Sequence, residues 1–392
     1  MSSDPETPTQ ADPSLSDHAH LSFSGGGFLG IYHAGVLQAF KDFAPEITTR
    51  KVLGASSGAL ASCFLVCDLP VERAVDVVAR MAVHCRSLSL GPLDPGFDIF
   101  NIMRDGLEKC LPEDAHIRCS GRMFISVTRA FSQRNEIISV FDSREELINA
   151  VMASCFIPYF LGIIAPRVKG VFYIDGGFSV NEPVHDEFTV TVSPFPNRGT
   201  VIRPRKEMFP ISTMPSSIIT MYKTVAAPPL EKLIEICQQG YEDAVHYLRT
   251  HNLLSCRECS ESRRKTSMKK KNKKGSAIAC SKCDSLISLS RSPRMEEKYL
   301  KPFIDAAAAE RKHRELHPLV STRAVQTLIV LFSLLALPIT SVVTWALRVY
   351  RYLVEHSTFV GYVKQITSQN ETHLEGSEGR GKSFRGRSYP HS

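Results

Sequence analysis

From residue 20 to about residue 200, short apolar runs that end in small or acidic residues alternate with longer segments whose apolar positions recur at helical spacing. His20-Leu21-Ser22-Phe23-Ser24 is of strand length, and Ile31 to Phe43 carries an amphipathic helical pattern. Between them lies the turn Gly25-Gly26-Gly27-Phe28-Leu29-Gly30. Lys51-Val52-Leu53 ends a second strand, and Ala59 to Val66 follows as an apolar helix. Met123 to Thr128, Ile137 to Phe141, the run Gly170 to Ile174, and Phe188 to Val192 read as further strands. Ser143, with Glu146 three residues on, forms a capping box for a helix through about Ala153. Residues 226–255 read as helices that close the domain, with Leu230, Leu233, Ile234 and Cys237 at helical spacing. The alternation predicts an α/β fold with a mostly parallel sheet flanked by helices.

The turns carry the candidate chemistry. Gly54-Ala55-Ser56-Ser57-Gly58 is a G-x-S-x-G sequence at a strand-to-helix turn, where glycines permit the tight backbone that exposes a nucleophilic serine. The free N–H groups of a helix start favour developing negative charge there. The plainer alternative is a turn in which Ser56 only caps the helix. The glycine turn one βα unit upstream is expected to bring backbone N–H groups onto a substrate oxygen. Gly25, Gly27 and Gly30 also match a dinucleotide-binding loop. That fold wants an acidic residue ending the second strand, and here the second strand ends in Gly54-Ala55-Ser56. Asp175 ends an apolar run before Gly176-Gly177 and is the candidate base, against the alternative of an ordinary Asp-Gly turn. His185, in a polar loop, would complete a Ser…Asp…His order. His33 reads as a helix-face residue near the site mouth.

The glycine loop, Gly-Ala-Ser-Ser-Gly and Asp175-Gly176-Gly177, in this order and spacing, resemble the patatin-like phospholipase family. The resemblance implies a Ser–Asp dyad without a catalytic histidine, with Ser56 as nucleophile, Asp175 as base, and Gly25, Gly26, Gly27 and Gly30 as the oxyanion loop. Phe28 to His33, Ser154-Cys155-Phe156-Ile157-Pro158 and Thr191-Val192-Ser193-Pro194-Phe195 are similar to the adipose triglyceride lipase and adiponutrin branch, over roughly residues 20–255. Gly26 stands where that branch often has cysteine. The resemblance implies a triacylglycerol lipase that releases diacylglycerol and fatty acid, droplet targeting through the C-terminal region, and a co-activator of α/β-hydrolase fold as partner. A phospholipase or an acylglycerol transacylase with the same dyad, and a non-catalytic lipid-droplet scaffold, are the alternatives.

Composition divides the rest of the chain. Residues 1–19 are polar and expected to be a disordered tail, with no run resembling a signal peptide. Eleven cysteines without such a signal suggest a reducing, cytoplasmic setting, and Cys63, Cys67 and Cys155 lie in apolar runs as core residues would. The net charge is +7, and residues 263–274 alone hold eight basic side chains and no acidic one, so the remainder is close to neutral. This run suits anionic lipid headgroups or plain solvation, and without interleaved aromatics it gives no specific nucleic-acid reading. It lies in a Cys/Lys-rich insert, 256–292, where Cys256, Cys259, Cys280 and Cys283 have the spacing of a four-cysteine structural zinc site. No metal is expected for catalysis. In a helical region spanning 293–365, residues 324–347 carry no Asp, Glu, Lys or Arg and have Pro338 near the middle. A hairpin dipping into a lipid monolayer or membrane surface fits that pattern. Residues 366–392 are Gly-, Ser- and Arg-rich and expected to be a disordered tail.

Overall fold

Hydrogen bonding joins β1 (His20–Phe23), β2 (Val52–Ala55), β3 (Met123–Arg129), β4 (Asn135–Ile138), β5 (Arg167–Val168), β6 (Val171–Asp175) and β7 (Thr189–Val192) into one sheet. The structure is a computed structural model, and it describes residues 19–88, 98–158, 160–162, 164–197, 199–205, 226–251, 253–254 and 294–316. The expected tails, the insert 256–292 and the apolar stretch 324–347 fall outside the described residues, apart from Ala19.

The hydrogen-bonded path runs β5–β6–β3–β2–β1–β7, with β4 also on β3. β7, β1, β2 and β3 are mutually parallel, as the alternation of strand and helix requires. β4 and β6 run antiparallel to β3, and β5 antiparallel to β6. The β5–β6 turn uses Lys169 and Gly170, both at positive φ (46° and 83°), the conformation of a tight hairpin. β4 begins two residues earlier than the apolar run suggests, because pairing resumes directly after the β3–β4 turn, where the Arg129 N–H donates to the Arg134 carbonyl at 2.9 Å. Its side chains are half-buried or exposed, so the hydrophobic pattern marks it poorly.

β3 organises the sheet. β4 occupies one of its edges along Ile125–Thr128, so β2 and β6 have to divide the other. β2 pairs with Met123 to Ser126, ending with Ala55 opposite Ser126. β6 takes over at the next position, with Asp175 opposite Val127.

The helices α1 (Ile31–Phe43), α2 (Ser57–Val66), α3 (Val71–Ser87), α4 (Ile99–Cys110), α5 (Ala115–Cys119), α6 (Arg144–Ser154), α7 (Leu230–Thr250) and α8 (Glu297–Leu316) flank this sheet. α6 starts at the expected cap, where the Ser143 side chain accepts from the Glu146 N–H at 3.1 Å. α7 forms one helix across most of 226–255. It packs backbone to backbone on α1 through a reciprocal glycine pair. A Cβ on Gly35 would stand 1.9 Å from the Cys237 carbonyl oxygen, and one on Gly240 would stand 2.1 Å from the Tyr32 carbonyl oxygen. Above this contact the buried Asp243 carboxylate accepts from Tyr32 (3.0 Å), Arg205 (2.8 Å) and Gln239 (2.9 Å). Met295, Leu300, Phe303 and Ala307 join the same hydrophobic core, so the packed domain takes in residues beyond 255. Among the described residues no helix is long and apolar enough to cross a membrane.

The α1–α7 contact leaves no room for a methyl group, and overpacking of this kind typically costs about 1–3 kcal/mol. Gly35→Ala is expected to lower the melting temperature by several degrees in a thermal denaturation scan, whereas Gly199→Ala, where a Cβ meets nothing within 4 Å, leaves it unchanged.

Candidate active site

Ser56 sits where β2 gives way to α2, with φ 53° and ψ −126°, a conformation that costs a non-glycine residue on the order of 1–3 kcal/mol. The flanking glycines make that turn possible by contact. A Cβ on Gly54 would stand 2.3 Å from the Gly58 carbonyl oxygen, and one on Gly58 would stand 2.0 Å from the Phe23 carbonyl oxygen at the end of β1. The turn is held from below. The Ser56 N–H donates to the Ser154 hydroxyl at 2.8 Å, and that hydroxyl donates to the Ser126 carbonyl at 2.8 Å. Ser154 thus carries the strain of the elbow onto β3, a role that its place in the sequence does not reveal.

Asp175 lies beside Ser56 because consecutive positions of β3 receive Ala55 and Asp175. The Ser56 side chain is close enough to the Asp175 carboxylate to hold its pKa down, and the Gly177 N–H donates to Oδ1 at 2.7 Å. Backbone bonds fix the residue as well: its N–H donates to the Phe156 carbonyl at 2.9 Å, and its carbonyl accepts from the Thr128 hydroxyl at 2.8 Å. Gly176 must be glycine here, since a Cβ would stand 2.2 Å from the Ser126 carbonyl oxygen. Burial pushes the Asp175 carboxyl up to about 6, against the lowering effect of Ser56 and Gly177. Near neutral pH the group is therefore an ionised carboxylate in a dry setting, beside the Ser56 side chain.

The glycine loop continues from β1 as a short 3-10 turn, Gly27–Gly30. Gly25 packs directly on Ser56, with 2.9 Å between its would-be Cβ and the Ser56 Cβ. Its N–H donates to Asn181 Oδ1 at 3.0 Å, so it is not free for an oxyanion. That corrects the expected set. The N–H groups of Gly26 and Gly27 meet no acceptor among the described residues, and Gly27 turns outward at φ 54°. Gly30 serves packing: a Cβ there would meet Ser57 Cβ at 2.4 Å. Gly26 lies against Pro194, which a Cβ would approach to 2.7 Å, so a cysteine at this position would have to move that proline. Asn181, six residues beyond Asp175, thus ties the glycine loop to the aspartate loop. Its only sequence signal is its place in the polar stretch after the two glycines.

Two histidines are placed differently from their sequence readings. His33 is fully buried under the loop, not at the mouth, with Nε2 donating to the Ser24 carbonyl at 2.8 Å and its ring edge-on to Phe23. Desolvation lowers it to about 4, so it is neutral. His185 Nε2 bonds Lys51 Nζ at 2.8 Å, beside His20 and Phe124. Lys51 precedes β2 and Ser56 follows it, roughly 16 Å away at strand rise. His185 therefore does not join Ser56 and Asp175 in a triad. Cys256, Cys259, Cys280 and Cys283 lie outside the described residues.

Ser56 opens onto a cavity of about 130 Å³ between α1, α2, α3 and α4. Leu60, Phe64, Val78, Met81, Ile99 and Met103 line it, and among the described residues no charged side chain does. The Ser57 hydroxyl also borders it, buried and without a partner among the described residues. An apolar cavity that ends at a serine hydroxyl has the chemistry to hold an acyl chain.

Residues 21–188 match the family model for patatin-like phospholipase. The chain is 37% identical over 249 residues to patatin-like phospholipase domain-containing protein 2 of Rattus norvegicus, covering 60% of this chain and 52% of that protein. It is 35% identical over 240 residues to the 1-acylglycerol-3-phosphate O-acyltransferase PNPLA3 of Homo sapiens, covering 58% and 50%. It is also 35% identical over 262 residues to the omega-hydroxyceramide transacylase of Homo sapiens, covering 64% and 47%. The chain spans about half the length of these curated relatives. The elbow, the aspartate loop and the glycine turn all lie within the matched segment, so residues 21–188 are a patatin-like phospholipase domain.

Proposed function

We propose that the protein is a serine acylhydrolase acting on triacylglycerol at a lipid surface, with Ser56 as nucleophile and Asp175 as general base. The observation that carries this reading is the placement of the Ser56 turn beside the buried Asp175 carboxylate by the register of β2 and β6 on β3, with Ser56 opening onto an apolar cavity. Asp175 takes the hydroxyl proton as Ser56 Oγ bonds to the ester carbonyl carbon, and the carbonyl electron pair moves onto oxygen. The Gly26 and Gly27 N–H groups stabilise that oxyanion, a contribution typically worth about 100- to 1000-fold per donor. Collapse breaks the bond to the glyceride oxygen, which leaves with the proton held by Asp175. Water, deprotonated by the same carboxylate, then releases the fatty acid.

The acyl-enzyme can equally pass its chain to a lipid hydroxyl, which makes transacylation the second reading. Two relatives named as an O-acyltransferase and a transacylase favour this second reading. The choice of surface, a lipid droplet or a membrane, rests on the apolar stretch 324–347 and the basic run 263–274, and a co-activator of α/β-hydrolase fold rests on resemblance alone. A zinc ion on Cys256, Cys259, Cys280 and Cys283 would be structural. The route above draws on no metal.

Fatty-acid release from triacylglycerol emulsions and from phospholipid vesicles tests the reading. Ser56→Ala is expected to lose roughly 10,000-fold or more, Asp175→Asn about 100- to 10,000-fold, and His185→Ala almost nothing. Loss of activity in a folded His185→Ala protein would restore the triad, and acyl transfer to added diacylglycerol without net release would establish the transacylase. No turnover of any acyl lipid, with the tail and co-activators supplied, would remove the hydrolase reading.

The pH profile follows from Asp175. The base works only when ionised, so kcat/KM is expected to rise tenfold per pH unit below about 6 and to level off above it. Stability has the opposite sign. A carboxyl whose pKa is raised on folding holds more protons in the native than in the unfolded chain between about 4 and 6, so this group's contribution declines as pH rises through that window. Asp175→Asn should therefore melt no lower than wild type at pH 7.5 while losing its activity.

A further inference from the structure

Three cysteines converge at the end of α2 remote from Ser56. Cys63 lies on the last turns of α2, Cys67 caps that helix, and Cys119 ends α5. Their Sγ atoms all lie within 4.8 Å of one another, with 3.7 Å between Cys67 and Cys119, and all three side chains are buried. Cys67 and Cys119 are within sulfur hydrogen-bond distance of each other, and Cys63 completes the triangle. Among the described residues no other cysteine joins a cluster of three: the buried Cys237 thiol meets a single sulfur, the Met295 thioether at 3.8 Å, and Cys85 and Cys155 are in no such group. Packing alone asks for small apolar side chains at such positions and gives no reason to turn three sulfurs toward a common point.

We propose that Cys63, Cys67 and Cys119 form a three-coordinate thiolate site for a soft monovalent metal ion of the Cu(I) class. With metal–sulfur bonds of about 2.3 Å, the sulfurs of a planar three-thiolate site stand about 4 Å apart, within the range these side chains already occupy. Soft thiolates select such an ion. Zinc would want a fourth ligand, and among the described residues no further His, Cys, Asp or Glu atom joins the group. Binding replaces three S–H bonds with three metal–sulfur bonds and releases three protons to solvent, with no electron transferred. The resulting site carries a net charge of −2, and guanidinium groups oppose it. Arg118 acts on Cys67 and Arg122 on Cys119, while the nearby Asp114 is paired with Arg118 at 2.8 Å. Asp68, the residue after Cys67, is exposed, so the site lies one layer beneath the surface and entry requires only a local opening at the helix end. Once bound, the ion ties the rear of the nucleophile-bearing helix to α5.

The test uses the full chain with Cys256, Cys259, Cys280 and Cys283 changed to serine, which removes the competing C-x-x-C thiols. The reduced protein is titrated under argon with Cu(I) supplied as its acetonitrile complex, against excess bicinchoninate as a coloured competitor. One copper per chain should be retained, with X-ray absorption showing three sulfur ligands and no nitrogen or oxygen. Cys67→Ser and Cys119→Ser should each cut retention at least tenfold, and the half-buried bystander Cys110→Ser should leave it unchanged. Complete removal of copper by the competitor, a four-ligand shell, or undiminished retention in a folded Cys67→Ser protein would each overturn the assignment. So would a Cys67–Cys119 disulfide, seen as a two-dalton loss, in protein freshly reduced and kept from air. A buried serine can unfold the chain, but stoichiometry and coordination in the parent protein decide the question without the single variants.

Discussion

The rest of the site depends on how one edge of β3 is shared. β2 leaves that edge at Ser126 because Ser56 turns the chain out of the sheet, and β6 enters at Val127 with Asp175 as its last residue. The two catalytic candidates, 119 residues apart in sequence, thereby become neighbours at backbone precision. Everything around the junction serves to keep it closed. Gly176 lies flat on the Ser126 carbonyl, Ser154 ties the Ser56 N–H to that same carbonyl, and Thr128 holds the Asp175 carbonyl. A strained nucleophile turn persists only where its surroundings over-determine it, and here three strands and two helix ends do so.

Burial then gives this geometry its chemistry. A carboxylate is a weak base in water, and it becomes a usable one when desolvation raises it toward neutrality, which is the direction found for Asp175. The same absence of polar groups that raises it also makes the cavity behind Ser56 hospitable to an acyl chain. The neutral, buried His33 supports the arrangement from beneath by holding the Ser24 carbonyl, just before the glycine turn. Asn181 holds the turn from the other side. The raised Asp175 pKa and the apolar lining of the cavity thus both follow from burial at the end of the parallel sheet, while hydrogen bonds fix the glycine turn.

Much of this was legible in the chain. Apolar runs and helical spacing located β1, α1, β2 and α7 closely, because parallel strands buried on both faces and amphipathic helices leave clear patterns. Ser143 marked the start of α6 because a side-chain cap is a local interaction. The edge elements were less visible. β4 is half-exposed and β5 is two residues long, so neither has a buried face to impose a pattern. His185 satisfied a chain order and nothing more, since order says nothing about which end of a strand a loop reaches.

The sequence by itself determined the class of fold, the nucleophile turn, the glycine turn and the carboxylate before Gly176-Gly177, because each depends on residue types acting within a few positions of one another. Only the tertiary structure decided that Ser56 and Asp175 lie side by side, that Gly25 surrenders its N–H to Asn181, that His33 is buried and neutral, and that Cys63, Cys67 and Cys119 meet. Those facts follow from strand register and from helix-on-helix contact through Gly35 and Gly240. Such long-range pairings are set by how whole faces pack, and no local pattern records them.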